Sequence, residues 1–432
     1  MHSNSDPLRR RSYLHFDEPP ARKDIERWVS DPERVARWQF LPLLSLIIKT
    51  KKVKTKDKKS RKFEIKSKER LICYASHRDA ALYGHYASIL SERYESLLLA
   101  EELSDAVTAF RPASGRCNIH FAAEVFDWIL KNRPCVALAY DISGFFDNLD
   151  HSVLKKKLCE VLSVESLPKD FYAIFRSITR FVIVDRNAVY NKFGISKHNS
   201  RSGGRTRICS AEEFRDTVVS EGFLHKNSKV FGIPQGTPIS ALLSNLYLLD
   251  FDRSVQAQVV AWGGIYRRYC DDILCVVPPE HEGAAKMLIE TEISKVKLKA
   301  QPDKQGRFLF DLSGLVINPS LQYLGLIFDG ASVLLRTGGV ARFYSRMRGG
   351  VRAAVASRNR IAKEAGVSPK EVAIRTGKLM SNYSYSGKRN FITYAIRAAK
   401  IVDSPKIKRQ VSRHLPAIRA AISREDKSSD ET

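Results

Sequence analysis

Two short β-type runs separated by a polar tetrapeptide form the most informative pattern in the sequence. The runs cover Gly264–Arg268 and Ile273–Val277, and the tetrapeptide Tyr269–Asp272 between them reads Tyr-Cys-Asp-Asp. This arrangement predicts a β-hairpin with two adjacent carboxylates at its tip. Because aspartate is frequent in turns, a solvated turn is the plain alternative for this segment taken alone.

Apolar spacing predicts the elements around this hairpin. Cys135–Tyr140 has the length and composition of a buried strand and ends at Asp141; after a Ser143-Gly144 break, Asp150 is placed to cap a helix. Four further helices and one strand follow from the same spacing rules: helices over Tyr83–Leu103, Lys169–Phe181, Ala241–Phe251 and Ala284–Val296, and a strand over Tyr323–Phe328.

Two basic segments lack a regular apolar pattern. Between Lys49 and Lys62, nine of 14 residues are Lys or Arg. This predicts a solvated loop or, alternatively, one that becomes ordered on a nucleic-acid backbone. An insertion near residues 185–230, which contains the basic run Arg201–Arg207, is predicted to be irregular. Both are candidate contact surfaces for structured RNA.

Composition limits the class of protein and of partner. The chain has 432 residues, 44% of them hydrophobic, so it can bury a large core. Its net charge of +25 predicts a polyanionic partner, either nucleic acid or an anionic membrane. No apolar run approaches the roughly 20 residues needed to cross a bilayer, and Met1–Ser12 lacks the apolar core of a secretory signal. We therefore expect a nucleic-acid partner, no membrane and a cytoplasmic location.

The cysteines and the C-terminal region refine this picture. The seven cysteines are scattered without a CxxC pair, which disfavours zinc and disulfide frameworks. From Arg336 to Thr432 the chain is predicted to be mostly helical and carries 22 Lys and Arg against seven Asp and Glu, so +15 of the +25 lies in these 97 residues. Such an imbalance predicts a separate helical subdomain with a cationic face.

Three aspartates supply the candidate chemistry. If one sheet contains all the strands that carry them, the carboxylates of Asp141, Asp271 and Asp272 meet at one edge. Adjacent carboxylates that lose water require a compensating cation, and oxygen-only ligands favour Mg²⁺. Two Mg²⁺ ions held there would serve an in-line phosphoryl transfer. An ordinary strand-end or capping role is the alternative for Asp141.

Three segments, in this order along the chain, resemble motifs A, B and C of reverse transcriptases. They are Tyr140–His151, Gly232–Tyr247 and Tyr269–Asp272. Three further parts of the chain resemble the same family. Arg111–Asn118 resembles the second fingers motif, Lys304 holds the position of the motif D lysine, and Tyr323–Leu326 resembles the primer grip. The resemblance covers roughly residues 66–330.

The resemblance implies an α+β right-hand polymerase fold with fingers, a palm containing an antiparallel sheet, and a helical thumb. We expect the N-terminal region and fingers at residues 1–134, the palm with its basic insertion at 135–335, and the basic helical thumb at 336–432. A template–primer duplex would lie across the edge formed by motifs A and C.

The resemblance also assigns roles to individual residues. Metal ligands for two Mg²⁺ ions would be Asp141, Asp271, Asp272 and Ile142, and nucleotide-binding residues would be Ser143, Gly144, Phe145, Phe146, Gln235, Lys68 and Arg78. Lys304 would donate a proton to pyrophosphate; an ordinary surface lysine is the alternative. Phe146 holds the steric-gate position, where an aromatic ring excludes a ribose 2′-hydroxyl and favours deoxynucleotides. The alternative is that Phe145 and Phe146 only pack in the core.

Three expected features of other reverse transcriptase subfamilies are not found in the sequence. Group II intron proteins often carry a nuclease tail, but nothing rich in Cys and His follows residue 330. Retroviral enzymes carry a ribonuclease H domain, for which there is no room, and the Val-Thr-Gly thumb signature of retron enzymes is not found. The chain resembles standalone bacterial defence-associated (unknown-group) reverse transcriptases, closest to type two in Arg78–Tyr83 and Tyr269–Asp272. This implies antiphage defence in a bacterial cytoplasm. It also implies that a dedicated noncoding RNA is copied from dNTPs into cDNA, through an RNA–DNA duplex.

Three other functions remain alternatives for this chain. A catalytically inactive RNA-binding scaffold would not need the three aspartates, Gln235 and Phe146 together. A template-independent or protein-primed DNA polymerase of the abortive-infection type would need a primer such as Tyr383 or Tyr385, for which packed or surface tyrosines are the plain alternative. An intron maturase would need splicing activity and a target intron.

Overall fold

The N-terminal part of the chain consists of a long β-hairpin and the helices around it. The computed structural model describes residues 11–57, 62–317 and 320–430. The elements of this part are α1 (Arg22–Val29), α2 (Pro32–Ala36), β1 (Leu43–Asp57), β2 (Lys62–Tyr74), α3 (His77–Ala100) and α4 (Asn118–Lys131). β1 and β2 pair antiparallel from Leu44↔Tyr74 outward, and α3 agrees with the predicted helix.

The prediction of a loop over Lys49–Lys62 was wrong. The backbone of residues 49–57 lies in β1, and Lys62 begins β2. Val53 and Thr55 alternate with Lys52, Lys54 and Lys56 in β1, and β-branched residues at a period of two favour a strand even where the net charge is high. Residues 58–61, between the two strands, lie outside the described residues.

The middle of the chain builds the sheet that carries the aspartates. Its elements are β3 (Cys135–Asp141), α5 (His151–Leu162), α6 (Lys169–Thr179), β4 (Val182–Asp185), α7 (Arg186–Lys192), α8 (Ala211–Glu213), β5 (His225–Lys226), α9 (Ser240–Tyr247), α10 (Leu249–Ala261), β6 (Ile265–Tyr269), β7 (Asp272–Val277), α11 (Glu282–Lys295), β8 (Gly306–Asp311) and β9 (Gly314–Ile317). The five-stranded sheet has the order β6-β7-β3-β8-β9, with antiparallel neighbours throughout.

β3 lies at the centre of this sheet and is buried on both faces. Val136, Leu138 and Tyr140 belong to one core, which is built mainly with α3, α5, α9 and α10. Cys135 and Ala137 belong to a second core on the opposite face. Alternation of neighbouring residues between two apolar cores explains why the strand is a continuous apolar run in the sequence.

The C-terminal part is a small sheet followed by helices. Its elements are β10 (Leu321–Tyr323), β11 (Leu326–Phe328), β12 (Val333–Leu335), α12 (Thr337–Ala365), α13 (Thr376–Tyr383), α14 (Phe391–Ile401), α15 (Pro405–Val411) and α16 (His414–Asp430). The helical prediction for this region is confirmed. α12 and α16 pack against each other in a core that includes Val351, Val355 and Ile418.

Two predicted elements are divided in the structure. The helix predicted over Ala241–Phe251 is two helices, α9 and α10, which meet at Leu248. The strand predicted over Tyr323–Phe328 is the hairpin β10–β11, because Leu324 and Gly325 both have positive φ, at 48° and 90°. A left-handed backbone at two successive residues reverses the chain.

The insertion near 185–230 is more ordered than predicted. It contains α7, α8, β5 and a π-helical turn over Phe214–Val219. Its residues Val189, Ile208 and Val218 form a separate small core with Leu14 and Phe16 of the N-terminal segment. The apolar residues of this core are too widely spaced along the chain to produce a local periodic signal.

The cores do not follow the predicted domain boundaries. The second core joins residues of α4, β3 and β8 to residues of α12, α14 and α15, so it crosses both 134/135 and 335/336. The division into three domains stays a prediction. In the part of the chain that the structure describes, no helix combines the length and apolar character of a membrane span. All seven cysteines are free thiols.

Candidate active site

The register of the central sheet brings the three aspartates together. β3 pairs with β7 so that Asp141 lies opposite Asp272, and residues opposite each other in an antiparallel pair project from the same face. Asp271 lies in the turn between β6 and β7, and its carbonyl accepts a hydrogen bond from the backbone N–H of Ile142 (3.3 Å). The prediction that one sheet contains all three strands is confirmed.

The turn that carries Asp271 has an unusual backbone. Tyr269 pairs with Asp272, so Cys270 and Asp271 form a two-residue connection. Cys270 has φ +60° and is buried in the main core. A left-handed conformation costs a non-glycine residue roughly 1–2 kcal/mol, so surrounding contacts must hold this turn in place.

A buried ion pair supplies those contacts. Arg268 is fully buried and forms two hydrogen bonds to the carboxylate of Asp252, at 2.7 and 2.6 Å. Its third nitrogen, Nη1, donates to the carbonyl of Cys270 and to Oδ1 of Asn245, each at 3.1 Å. Asn245 in turn donates to the carbonyl of Ala109 (2.8 Å). The network therefore ties α9, α10 and β6 to the aspartate-bearing turn.

The Arg268 network was not predicted from the sequence, although a signal for it existed. Asn245 lies inside the motif B segment, and Arg268 directly precedes the Tyr-Cys-Asp-Asp tetrapeptide in a strand-like run. A charged residue in a buried strand requires a buried counter-charge, and Asp252 in the neighbouring helix could have been proposed as its partner.

A lysine provides the positive charge at the three carboxylates. The Nζ of Lys304 lies 2.6 Å from Oδ1 of Asp141. The short 3₁₀ turn Pro302–Lys304 is held to the end of β3, because the backbone N–H of Gln301 donates to the carbonyl of Asp141 (2.8 Å). The structure thus brings together Lys304 and Asp141, which the sequence assigned to one site.

The electrostatics of the site combine partial loss of water with like charge. Partial loss of water, together with the negative charges of Asp271 and Asp141, raises the pKa of Asp272 to about 6, although the residue keeps access to solvent. Lys304 and Arg336 oppose this increase. The site therefore carries excess negative charge that the two nearby cations only partly balance.

This donor set fits an open magnesium site. Among the described residues, no three His, Cys, Asp or Glu side chains form a preassembled metal cluster. Mg²⁺ is typically bound through one or two carboxylates and completes its shell with water and substrate phosphates. A divalent cation would also relieve the repulsion that, together with partial loss of water, raises the pKa of Asp272. Ile142 adjoins the carboxylates, and its backbone carbonyl is the only ligand atom that it could offer.

The segment after Asp141 turns sharply. Gly144 has φ +53°, and a Cβ added there would lie 2.8 Å from the amide nitrogen of Asn148. This amide donates to the carbonyls of Ser143 (3.1 Å) and Gly144 (3.0 Å), which closes the turn. The backbone N–H of Ser143 donates to the carbonyl of Lys299 (2.9 Å). The turn positions the two phenylalanines that follow.

The two phenylalanines have different environments. Phe145 is 3% exposed and belongs to the main core. Its position is therefore the one expected if this residue packs in the core. Phe146 is only partly buried, and its ring meets that of Phe145 edge-on with centroids 5.6 Å apart. Its carbonyl accepts from the backbone N–H of Ile233 (2.9 Å), which joins motif A to the motif B loop. The steric-gate role of Phe146 stays a prediction.

The motif B loop docks on the end of β2. The backbone N–H of Cys73 donates to the carbonyl of Gln235 (2.8 Å). Gly236 follows with φ +115°, and a Cβ at this position would lie 2.6 Å from the carbonyl of Cys73. Glycine is therefore required for this close approach. The side chain of Gln235 is partly exposed beside the loop.

The two predicted fingers residues lie in the N-terminal part of the chain, on β2 and α3. Lys68 is exposed on β2, opposite Thr50. The guanidinium of Arg78 donates to the carbonyl of Gln39 (2.6 Å) and lies over the ring of Trp38 at 5.4 Å. The structure does not bring Arg78 together with the three carboxylates, and nucleotide binding by both residues stays a prediction.

Comparison with solved structures finds matches to telomerases. An apo telomerase from Candida tropicalis, truncated from its C-terminal domain, is 10% identical with a TM-score of 0.42, over 72% of this chain and 59% of that one. A Candida albicans telomerase in complex with a TWJ fragment of telomeric RNA is 13% identical with a TM-score of 0.42, over 93% and 68%. An apo Candida tropicalis telomerase is 10% identical with a TM-score of 0.48, over 90% and 66%. The chain thus spans 59% of the length of the first of these proteins.

Comparison with protein families is more specific. No curated protein matches the chain. A profile of the reverse transcriptase (RNA-dependent DNA polymerase) family matches residues 56–328. This range includes the predicted motifs A, B and C, and it confirms the α+β polymerase fold expected from the sequence. The chain belongs to the reverse transcriptase family.

Proposed function

We propose that this protein is an RNA-directed DNA polymerase that extends a primer by metal-assisted nucleotidyl transfer. The observation that carries the proposal is the register of β3 and β7, which places Asp141 opposite Asp272, with Lys304 2.6 Å from Asp141. Membership of the reverse transcriptase family indicates the reaction, and this geometry indicates which groups would perform it.

The three carboxylates form the proposed metal platform. Asp141, Asp271 and Asp272 would hold Mg²⁺, with the carbonyl of Ile142 as a further ligand. Bound Mg²⁺ would lower the pKa of the primer 3′-hydroxyl and neutralise charge on the leaving pyrophosphate. The protein contributes the fixed spacing of the carboxylates, which follows from the strand register and from the Arg268 network beneath the turn.

Lys304 is the proposed general acid. Its ammonium contacts Asp141, so it lies within reach of the phosphates of a nucleotide bound at that carboxylate. Proton transfer to pyrophosphate would offset the charge that develops on the leaving oxygen. Phe146 would exclude the ribose 2′-hydroxyl, and Gln235 would contact the nucleotide from the motif B loop.

The finer biological role rests on the sequence resemblance. We propose a dedicated noncoding RNA as the template, antiphage defence as the purpose and the bacterial cytoplasm as the location. The support is the form of Arg78–Tyr83 and Tyr269–Asp272 and the net charge of +25. The segment Lys49–Lys62 and the run Arg201–Arg207 are the proposed RNA contacts. Deleting either should weaken binding of the cognate RNA more than binding of a generic duplex; an equal loss for both ligands would contradict this assignment.

One experiment separates the competing functions. The purified protein is incubated with Mg²⁺, labelled dNTPs and the RNA that co-purifies with it, and both nucleic acids are sequenced. DNA complementary to the RNA supports the proposal, whereas a homopolymer indicates template-independent synthesis. RNA binding without synthesis indicates a scaffold. DNA linked to Tyr385, which is 59% exposed, would indicate protein priming, with Tyr385→Phe as the control.

A further inference from the structure

A basic groove lies along α6, apart from the three aspartates. It has a volume of about 750 Å³ and is bounded by α6, the segment 36–43 and the strands β4 and β5. Its lining contains five cationic side chains: Arg78, Lys169, Arg176, Arg180 and Lys226. No Asp or Glu lines it within the described part of the chain. We call this feature the α6 groove.

One face of α6 carries much of this charge. Lys169, Tyr172, Arg176 and Arg180 follow one another at intervals of three and four residues, Arg180 being the residue that directly follows the helix. Residues at this spacing lie on the same side of a helix. All four are exposed. The helix therefore presents a row of three cations with one aromatic ring among them.

Four of the five cations of the groove have no carboxylate partner among the described residues. Arg180 donates to the carbonyl of Ser228 (3.3 Å). Arg78 donates to that of Gln39, and its Nε lies 3.6 Å from Oδ1 of Asp79. Among the described residues, the structure gives no carboxylate partner for the remaining three, which are Lys169, Arg176 and Lys226. A concave surface lined by one sign of charge, most of it without an ion-pair partner, attracts an anionic ligand.

Aromatic side chains in the same groove identify the class of anion. Tyr172 is 46% exposed, and Lys155 from α5 lies 5.6 Å from the centre of its ring. Trp38 and Phe40, both partly buried, also line the groove. Cations that follow a backbone combined with rings that stack on bases are typical of single-stranded nucleic-acid sites. A duplex keeps its bases paired and stacked, so it would not use such rings.

The groove ends at the segment that leads into the active site. Asn227 fixes the C-terminal end of α6, because its backbone N–H donates to the carbonyl of Phe181 (2.8 Å) and its amide donates to that of Thr179 (2.9 Å). The same amide donates to the carbonyl of Phe231 (3.3 Å), the residue before Gly232 of the motif B loop. The Arg180 end of the groove is thereby joined to that loop.

We propose that the α6 groove binds a single-stranded segment of RNA outside the catalytic cleft. Lys169, Arg176 and Arg180 contact successive phosphates, and Tyr172 stacks on a base. The choice of RNA rests on the proposed function; the contacts themselves require only an unpaired strand with phosphates and bases.

The test measures binding by the full-length protein, without catalysis. A fluorescent single-stranded RNA oligonucleotide is compared with a blunt RNA–DNA hybrid in Mg²⁺-free buffer over a range of salt concentrations. Lys169→Glu with Arg176→Glu is expected to weaken single-strand binding at least tenfold and hybrid binding less than twofold. The plot of log affinity against log salt should also become less steep by about 1.4, because two phosphate contacts are lost and each contributes ~0.7 to the slope. Lys131→Glu with Lys286→Glu, two exposed helical lysines elsewhere, is the charge-matched control and should change neither quantity.

A second pair of variants tests the stacking contact. Tyr172→Ala is expected to weaken single-strand binding at least about fivefold, whereas Tyr172→Phe, which keeps the ring, should bind normally. RNA that contains 4-thiouridine should crosslink to residues 169–180. Because these residues are exposed, the thermal unfolding midpoint should be unchanged, which separates lost contacts from lost folding.

Four results would overturn the proposal. Two concern the charge-reversed variant: unchanged single-strand binding, or an equal loss for strand and hybrid. The third is tighter groove binding of single-stranded DNA than of RNA. The fourth is tighter groove binding of a polyglutamate peptide than of RNA of equal charge, which would indicate an acidic protein partner. Failure of DNA synthesis by the wild-type protein would refute the proposed function without affecting any of these binding measurements.

Discussion

The ammonium of Lys304 lies 2.6 Å from a carboxylate oxygen of Asp141. The two residues are far apart in the sequence but come from the end of β3 and the 3₁₀ turn bound to it. We expect Lys304→Gln to slow single-nucleotide incorporation on the order of 100-fold, the usual loss when a general acid is removed. Rapid-quench measurement of the chemical step tests this.

Lys299→Gln is the control for that substitution. Lys299 is an exposed lysine nearby whose backbone carbonyl, and not its ammonium, holds Ser143. The Lys299→Gln variant should incorporate nucleotides at the wild-type rate. If Lys304→Gln also keeps the wild-type rate, the contact with Asp141 is an ordinary surface ion pair.

The different environments of Phe145 and Phe146 give a second prediction. Phe146→Ala should raise incorporation of ribonucleotides relative to deoxynucleotides, because Phe146 is partly exposed beside the motif B loop. Phe145→Ala removes a core residue that is 3% exposed and should lower the free energy of unfolding by about 3–5 kcal/mol. Competition assays with matched nucleotide pairs measure the first effect, and urea unfolding measures the second. Unchanged sugar selectivity in Phe146→Ala would remove the steric-gate assignment.

Asp272 gives a prediction about pH. Its pKa is raised to about 6 in the folded chain, whereas an aspartate in an unfolded chain titrates near about 4. The folded protein therefore binds this proton more tightly, and ionisation of Asp272 destabilises the fold. In Mg²⁺-free buffer, the unfolding free energy of the wild type should fall relative to that of Asp272→Asn as pH rises from about 4 to about 6.

Added Mg²⁺ should reverse this difference at neutral pH, because a bound cation stabilises the ionised carboxylate. Thermal unfolding of both proteins at several pH values, with and without Mg²⁺, measures the effect. Parallel stability curves for the two proteins would show that Asp272 is not crowded by Asp141 and Asp271.

The Arg268–Asp252 pair gives a prediction that separates stability from activity. Asp252→Ala leaves a buried guanidinium without its counter-ion and should cost about 3–5 kcal/mol of unfolding free energy. The double variant Arg268→Met with Asp252→Leu removes both charges and should recover more than half of that loss. The double variant should nevertheless polymerise more slowly than the wild type, because the carbonyl of Cys270 loses its hydrogen-bond donor. Urea unfolding and primer extension test the two effects separately; full activity in the double variant would show that the network only stabilises the fold.

The sequence predicted the centre of the site well, because local pattern and site coincide there. Cys135–Tyr140 is apolar on both faces and ends at Asp141, and the Tyr-Cys-Asp-Asp tetrapeptide lies between two strand-like runs. Both strand ends could therefore be located within a residue. Their pairing in one sheet was a conditional expectation that the register of β3 and β7 confirms.

Features that depend on distant contacts could not be predicted in the same way. The core of the basic insertion depends on Leu14 and Phe16, which lie more than 160 residues earlier in the chain. The turn at Leu324 uses a backbone conformation that its side chain disfavours. Charge suggested a loop over Lys49–Lys62, whereas residues 49–57 lie in β1 and pair with β2. In the insertion and in β1, contacts with residues outside the segment outweighed a local preference.

The backbone hydrogen bond between Cys73 and Gln235 has a mechanical consequence. β2 runs without interruption from Lys62 to Tyr74, so the basic end of the hairpin and Cys73, on which the motif B loop docks, lie on one continuous strand. A methyl group on Gly236 would lie 2.6 Å from the carbonyl of Cys73, so the loop follows this part of the strand closely. An RNA bound to the hairpin would therefore contact the same strand that holds Gln235, the residue proposed to contact the incoming nucleotide.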